Sequence, residues 1–378
     1  MNYSKQRDLF PGGNTSKGFY SFYRYILTQE DANKIICLKG GPGTGKSSFM
    51  KKIGAYFLDL GYSLEYHHCS SDNNSLDGLV IKELNVAILD GTSPHVVDPI
   101  TPGAVDEIVN LGIALNMDVL SKNKKELISI NKEIGKTFKR AYRFLGAAKS
   151  VHEDWSTLNY ESLNSYKVNT FMDKIKGEIL TSSKSGFGGE RHLFGTAFTP
   201  NGIVTYNKAL SSNIDKLYTL KGGPGFGKTD ILRYIGSEAQ KLGYFVEYLH
   251  DPLIPERLEN IIIPEISTGI FTTNEISRLS YDCTVYDMKD LCSPQALSSR
   301  KSEVENDKVL FDTLITKALQ CIKKAKSFHD ELESYYIKAM DFSVVDDIYK
   351  DTLKKNRKVY KIKEARWIFI FLLLPLHS

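Results

Sequence analysis

Two short stretches of this sequence combine glycines, a lysine and a hydroxyl side chain in a spacing that can hold a phosphate. Gly40-Gly-Pro-Gly-Thr-Gly-Lys46-Ser47 and Gly222-Gly-Pro-Gly-Phe-Gly-Lys228-Thr229 both fit G-x-x-x-x-G-K-[ST]. In such a loop the glycines let the backbone curl until successive amide N–H groups face one oxyanion. The N-terminus of the following helix adds partial positive charge at the same point. The lysine reaches the β- and γ-phosphates, and the Ser or Thr hydroxyl ligates Mg²⁺. Read this way, Gly40, Gly41, Gly43, Thr44, Gly45, Lys46, Ser47 and Ser48 cradle ATP in the first copy. Gly222, Gly223, Gly225, Gly227, Lys228 and Thr229 do so in the second. Lys46 and Lys228 are the expected catalytic cations, and Ser47 and Thr229 the expected metal ligands. Asp90 closes the apolar run Val86 to Leu89, which places an acid at a strand end, so it is the expected second metal ligand of the first copy.

The copies are not equivalent. Asp230 stands where the first loop has Ser48, an acid placed to repel an anionic ligand, and Thr272 stands where the first copy has Asp90. Unequal sites are therefore expected, the first being the competent one. No Glu follows Asp90, so that strand does not supply a water-activating base. Other residues kept in both copies are Glu65 with His68, Glu247 with His250, and Arg7 with Arg191. The carboxylate and histidine pairs fall near predicted strand ends, where open α/β sheets bind ligands, or else serve the surrounding loops. For the arginines a surface salt bridge is the first expectation, with a charge-stabilising finger across the two halves as the sharper one. His95 and Asp98 have no matching pair in the second half.

The elements that must position these residues repeat as well. The loops lie 182 residues apart, Lys46 against Lys228, and the offset persists through Gly61-Tyr62 with Gly243-Tyr244, Glu65-Tyr66 with Glu247-Tyr248, and Glu83 with Glu265. Further on it becomes 177, aligning Ala148-Lys-Ser150 and His152 with Ala325-Lys-Ser327 and His329. Each copy reads strand, glycine loop, helix, strand: Ile35 to Leu38, a helix over Ser47 to Leu60, strands at Ser63 to His68 and Val86 to Leu89. Alternating β and α elements predict parallel sheets flanked by helices. Apolar residues at helical spacing follow, from Leu127 to Val151 and from Val304 to Leu332, predicting long amphipathic helices that pack within or between the units. The expected architecture is α/β: two tandem P-loop NTPase-type parallel-sheet units, each followed by long amphipathic helices. Residues 1–181 form the first unit, 182–189 a linker, 190–353 the second unit and 354–378 a tail outside the repeat.

The chain has 378 residues, Lys plus Arg 49 against Asp plus Glu 45, and a net charge of +4. Lys350 to Arg366 alone carries eight basic and two acidic side chains, so the rest is near neutral, which argues against a nucleic-acid groove. Five cysteines without a CxxC spacing support neither a disulfide framework nor a zinc ribbon, as in a cytoplasmic protein. Trp367 to Leu374 is the strongly apolar run, too short for a span of roughly 20 residues. Beside the basic tail it suggests at most a peripheral membrane contact.

With both loops, Arg7-Asp-Leu-Phe, Arg191-His-Leu-Phe and Leu89-Asp-Gly-Thr-Ser-Pro-His-Val-Val-Asp-Pro99 quoted, the chain resembles the tandem P-loop ATP-binding proteins of spore-forming Firmicutes over roughly residues 1 to 353. The resemblance implies an ATP-binding P-loop fold in the cytoplasm and supplies no acceptor. The expected function is Mg²⁺-dependent ATP binding and hydrolysis by two units that pair with each other. A nucleotide or small-metabolite kinase and a nucleotide-stabilised scaffold without turnover are the alternatives, and the acceptor or protein partner is unspecified.

Overall fold

The computed structural model describes residues 5–92 and 97–356. The first half begins with β1 (Gln6–Leu9) and a hairpin of β2 (Gly12–Thr15) and β3 (Gly18–Ser21). Then come β4 (Lys34–Lys39), α1 (Lys46–Asp59), β5 (Leu64–Cys69), β6 (Asp72–Ile81), β7 (Val86–Asp90) and β8 (Asp106–Asn110). The helices α2 (Met117–Lys122), α3 (Lys124–Tyr160) and α4 (Ser165–Ile179) follow. The second half repeats this with β9 (Glu190–Leu193), a hairpin of β10 (Thr196–Thr199) and β11 (Gly202–Thr205), the short α5 (Asn207–Ser211), β12 (Lys216–Lys221) and α6 (Lys228–Lys241). It continues through β13 (Val246–His250), β14 (Leu258–Ile263), β15 (Thr268–Thr273), β16 (Thr284–Asp287), α7 (Pro294–Ser299), α8 (Lys301–Ala339) and α9 (Phe342–Lys355).

Each half builds a six-stranded sheet, in the orders β1-β5-β6-β7-β4-β8 and β9-β13-β14-β15-β12-β16. The strand that leads into each glycine loop lies between two parallel neighbours. The sheets are nevertheless mixed rather than wholly parallel, because β6 and β14 run antiparallel to both their neighbours. The cause is the connection before them. Ser70 and Ser71 alone separate β5 from β6, whereas a parallel crossover needs a dozen or more residues.

The second correction to a simple tandem picture lies in the helices. α4 closes the core of the second sheet: Phe171, Ile175 and Ile179 pack with Ile231, Ile235 and Ile261. Conversely, Val345, Tyr349 and Leu353 of α9 pack with Phe49, Ile53 and Phe57 of the first half, and Lys52 pairs with Asp346 at 2.8 Å. Between these ends α3 and α8 run antiparallel, joined by Ala141, Leu145 and Ala148 against Phe311, Ile315 and Ala318. Further along, Leu127 and Ile130 meet Leu332. The terminal helices α4 and α9 are thus exchanged reciprocally between the halves, while α3 and α8 pack on each other.

A pseudo-two-fold axis relates the halves. Phe10 and Phe194 exchange both backbone hydrogen bonds at 3.0 Å. Next to them sits a buried ionic cluster in which Arg7 Nη1 and Nη2 reach Glu65 (3.0 Å) and Glu247 (2.7 Å), while Arg191 reaches Glu65 (2.6 Å) and Glu247 (3.3 Å). Burial works against ionising Glu65 and Glu247, but the two guanidinium groups outweigh it and hold both carboxyls below their ordinary range. Among the described residues no helix is long and apolar enough to cross a membrane.

Candidate functional site

In both halves the glycine loop turns from a central strand straight into a helix. The turn requires positive φ at the residue that caps the helix, and glycine supplies it: Gly45 at 87° and Gly227 at 73°. Lys46 and Lys228 are the first helical residues, and each folds back over its own loop. Lys46 Nζ donates to the carbonyls of Gly40 (3.0 Å) and Gly41 (2.8 Å). Lys228 Nζ donates to those of Gly222 and Gly223, the latter at 3.0 Å. Burial lowers the Lys228 pKa, opposed by the charges of Glu275 and Asp251.

The first loop is tied to the strand ends around it. Asp90 Oδ2 lies 3.6 Å from Lys46 Nζ. Thr44 Oγ1 donates to Gly41 O at 2.8 Å, and Thr92 Oγ1 to Gly40 O at 2.8 Å. Ser47 Oγ accepts from Leu76 N at 3.0 Å, which brings the middle of β6 to the helix N-terminus. Asp98 pairs with Lys39 at 2.9 Å, beside Gly91; His95 lies outside the described residues, as does the tail beyond Asn356.

The second loop opens on a cavity of about 830 Å³. Thr272 occupies the place of Asp90, since Leu220 pairs with Thr272 as Leu38 pairs with Asp90. Carboxylates nonetheless surround this cavity, from positions that the strand-end argument missed. Glu259 on β14 is 2% exposed; its Oε1 accepts from Thr196 Oγ1 and Asn274 Nδ2, both at 3.0 Å, and its Oε2 has no hydrogen-bond partner among the described residues. Burial pushes its carboxyl up to about 7. Glu275, just beyond β15, accepts from His152 at 2.5 Å. Burial alone would raise Glu275, but that hydrogen bond and the nearby charges of His152 and Lys228 hold it at about 2. Asp251 accepts from Leu253 N and Ile254 N at 2.8 Å, and desolvation raises its carboxyl. One signal for Glu259 was present in the sequence: the 182-residue offset aligns it with Asp77, which is also buried, at 3% exposure. Asp230 is exposed and lies 3.5 Å from Arg233, so the acid behind Thr229 is partly compensated and faces solvent.

Each loop is also roofed by the other half. Asn159 of α3 donates to Pro224 O at 2.7 Å, and a Cβ on Gly225 would fall 1.9 Å from Ser156 O. In the first site a Cβ on Gly41 would meet Tyr336 of α8 at 2.8 Å, and one on Gly43 would meet Glu333 O at 3.1 Å. The residues over the second loop, Ser156 and Asn159, correspond to Glu333 and Tyr336 over the first through the 177-residue offset.

Six residues singled out with the site belong elsewhere. Glu65 and Glu247 serve the ionic cluster on the pseudo-two-fold axis. His68 bonds Asp8 at 2.7 Å, and His250 bonds His192 at 2.8 Å beneath interface rings; burial drives His250 down to about 3. Arg7 and Arg191 are neither surface salt bridges nor fingers: their side chains are 6% and 13% exposed and committed to Glu65 and Glu247. Compared with protein-family models, curated proteins and solved structures, the chain finds no match.

Proposed function

We propose that this chain is a P-loop protein that binds ATP with Mg²⁺ and hydrolyses it, with a nucleotide site on each half. The observation that carries the proposal is the repeated turn itself: a glycine-capped helix start whose lysine is folded back over the loop carbonyls in both copies. A terminal phosphate is a stronger partner for that ammonium than neutral carbonyls, so the lysine is ready to exchange one for the other. The donor set suits a hard cation. Ser47 and Asp90 would hold Mg²⁺ in the first site and Thr229 in the second, and the ion when bound neutralises charge on the β- and γ-phosphates.

Hydrolysis needs a base, and β14 offers one in the second site. Glu259 lines the cavity that also holds Lys228 and Thr229, and one of its carboxylate oxygens is buried without a hydrogen-bond partner among the described residues. Its carboxylate takes the proton of a water whose oxygen bonds to the γ-phosphorus. The bridging P–O bond breaks, and the electron pair leaves on ADP. Asp77 stands in the equivalent position of the first site. The first site has its strand-end acid and the second does not, so Asp90 still ranks the first above the second, while Glu259 and the cavity support turnover at the second too.

γ-Labelled ATP tests the reaction class. Label released as inorganic phosphate is the expected outcome; label on an added nucleotide or metabolite would make the chain a kinase, and bound, unchanged ATP would make it a scaffold. The likeness to Firmicutes tandem P-loop proteins agrees with ATP binding, rests on the same loops, and does not separate hydrolysis from transfer.

A further inference from the structure

The 177-residue offset keeps one polar motif on the two long helices, Ala148-Lys-Ser-Val-His152 on α3 and Ala325-Lys-Ser-Phe-His329 on α8. Packing of an amphipathic helix requires apolar residues at the seam, and Ala148 and Ala325 meet that need. It does not require the lysine and histidine beside them. Their placement gives a reason. The exchange of helices carries each motif away from its own loop and to the loop of the other half, two turns before the residues that touch the glycines.

At the second site the placement is direct: Lys149 and His152 line the same cavity as Lys228, Thr229 and Glu259. His152 is already engaged, between Glu275 at 2.5 Å and Arg257 at 3.1 Å. Among the described residues Lys149 pairs with Glu153, at 3.4 Å with side chains 32% and 48% exposed, a pairing weak enough to yield to a phosphate. At the first site Lys326 takes the equivalent position on α8. It pairs with Asp330 one turn on and lies 3.4 Å from Asp72, at the start of the strand whose Leu76 N bonds Ser47. Phosphoryl transfer is commonly assisted by a cation from outside the loop's own domain. Arg7 and Arg191, the arginines kept in both copies, cannot act there.

Resting on the ATP-binding reading above, we propose that each long helix supplies a lysine across the halves, Lys149 to the second loop and Lys326 to the first, that contacts the γ-phosphate of bound ATP. Each site is then composite, and neither half carries a complete one.

The test uses the full chain with Lys46→Ala, which leaves the second loop as the nucleotide site, and calorimetry with Mg-ATP and Mg-ADP. Adding Lys149→Ala should weaken ATP about tenfold or more, the scale of a lost charge-assisted hydrogen bond, and ADP less than about twofold. Lys149→Arg should recover part of the ATP preference. Lys136→Ala, on an exposed stretch of the same helix, should change neither. Equal weakening of ATP and ADP would assign Lys149 a structural role and overturn the proposal, as would unchanged affinity for both. If the Lys46→Ala parent takes up neither nucleotide while wild type does, the second loop is not a nucleotide site, and the ATP-binding reading of that half fails before Lys149 is at issue.

Discussion

Replacing Glu259 with glutamine should stabilise the folded protein, and more so at higher pH. Glu259 is 2% exposed, and burial lifts its carboxyl from an ordinary value of 4.5 to about 7. The folded state therefore holds this proton more tightly than the unfolded chain. Stability falls as pH rises through the interval from 4.5 to 7, and stays lower above it. A shift of that size costs about 3 kcal/mol at pH 8, where the site is ionised, and about 1 kcal/mol or less at pH 5, where it is largely protonated. Glutamine cannot ionise, and it keeps an oxygen to accept from Thr196 and Asn274. Urea unfolding of wild type and Glu259→Gln at both pH values measures the difference. The same gain at pH 5 and pH 8 would refute the reasoning, and so would a loss at pH 8. The variant should also hydrolyse ATP more slowly at the second site, because the group that destabilises the fold is the one proposed to accept the proton.

Three further predictions concern the joined halves. Arg7→Ala leaves Glu65 and Glu247 short of a buried partner and should cost about 3 to 5 kcal/mol. Because both carboxyls are depressed, the cluster's contribution is present above about pH 4.5 and is lost as pH falls through their folded values. Acid unfolding of wild type should therefore be steeper than that of Arg7→Ala. Gly225→Ala places a methyl group 1.9 Å from Ser156 O at a φ of 81°, so nucleotide affinity at the second loop should fall at least about tenfold while the first is unchanged, as read by calorimetry of the single-lysine variants. Trp155 packs against Gly223, and in a Trp367→Phe background its fluorescence should respond to nucleotide at the second loop and not in Lys228→Ala.

Much of the scaffold was legible because local signals and tertiary context agree there. Short apolar runs before glycines became β4 and β12, and the Ser47 to Leu60 periodicity became α1. The antiparallel β6 was not legible. Its first residues, Asp72-Asn-Asn-Ser, carry no strand signal, and their pairing depends on the brief turn after β5. The roles of Glu65, Arg7 and their repeats were hidden for a different reason: a residue kept in both copies serves a two-fold interface as readily as a site, and sequence does not distinguish them. The acids around the second loop come from β14 and from beyond β15, so the 182-residue offset finds Asp77 and Glu259 as a pair but says nothing of their approach to the cavity. Reading amphipathic helices predicted long packed elements, whereas their exchange between halves depends on which face covers which.

The central claim, that both loops hold nucleotide through their folded-back lysines, is tested most directly by calorimetric titration of Mg-ATP into the full chain and into Lys46→Ala and Lys228→Ala. Wild type should bind two equivalents and each variant one, with the site remaining in Lys228→Ala the tighter. No saturable heat with wild type, or two equivalents retained in either variant, would contradict it.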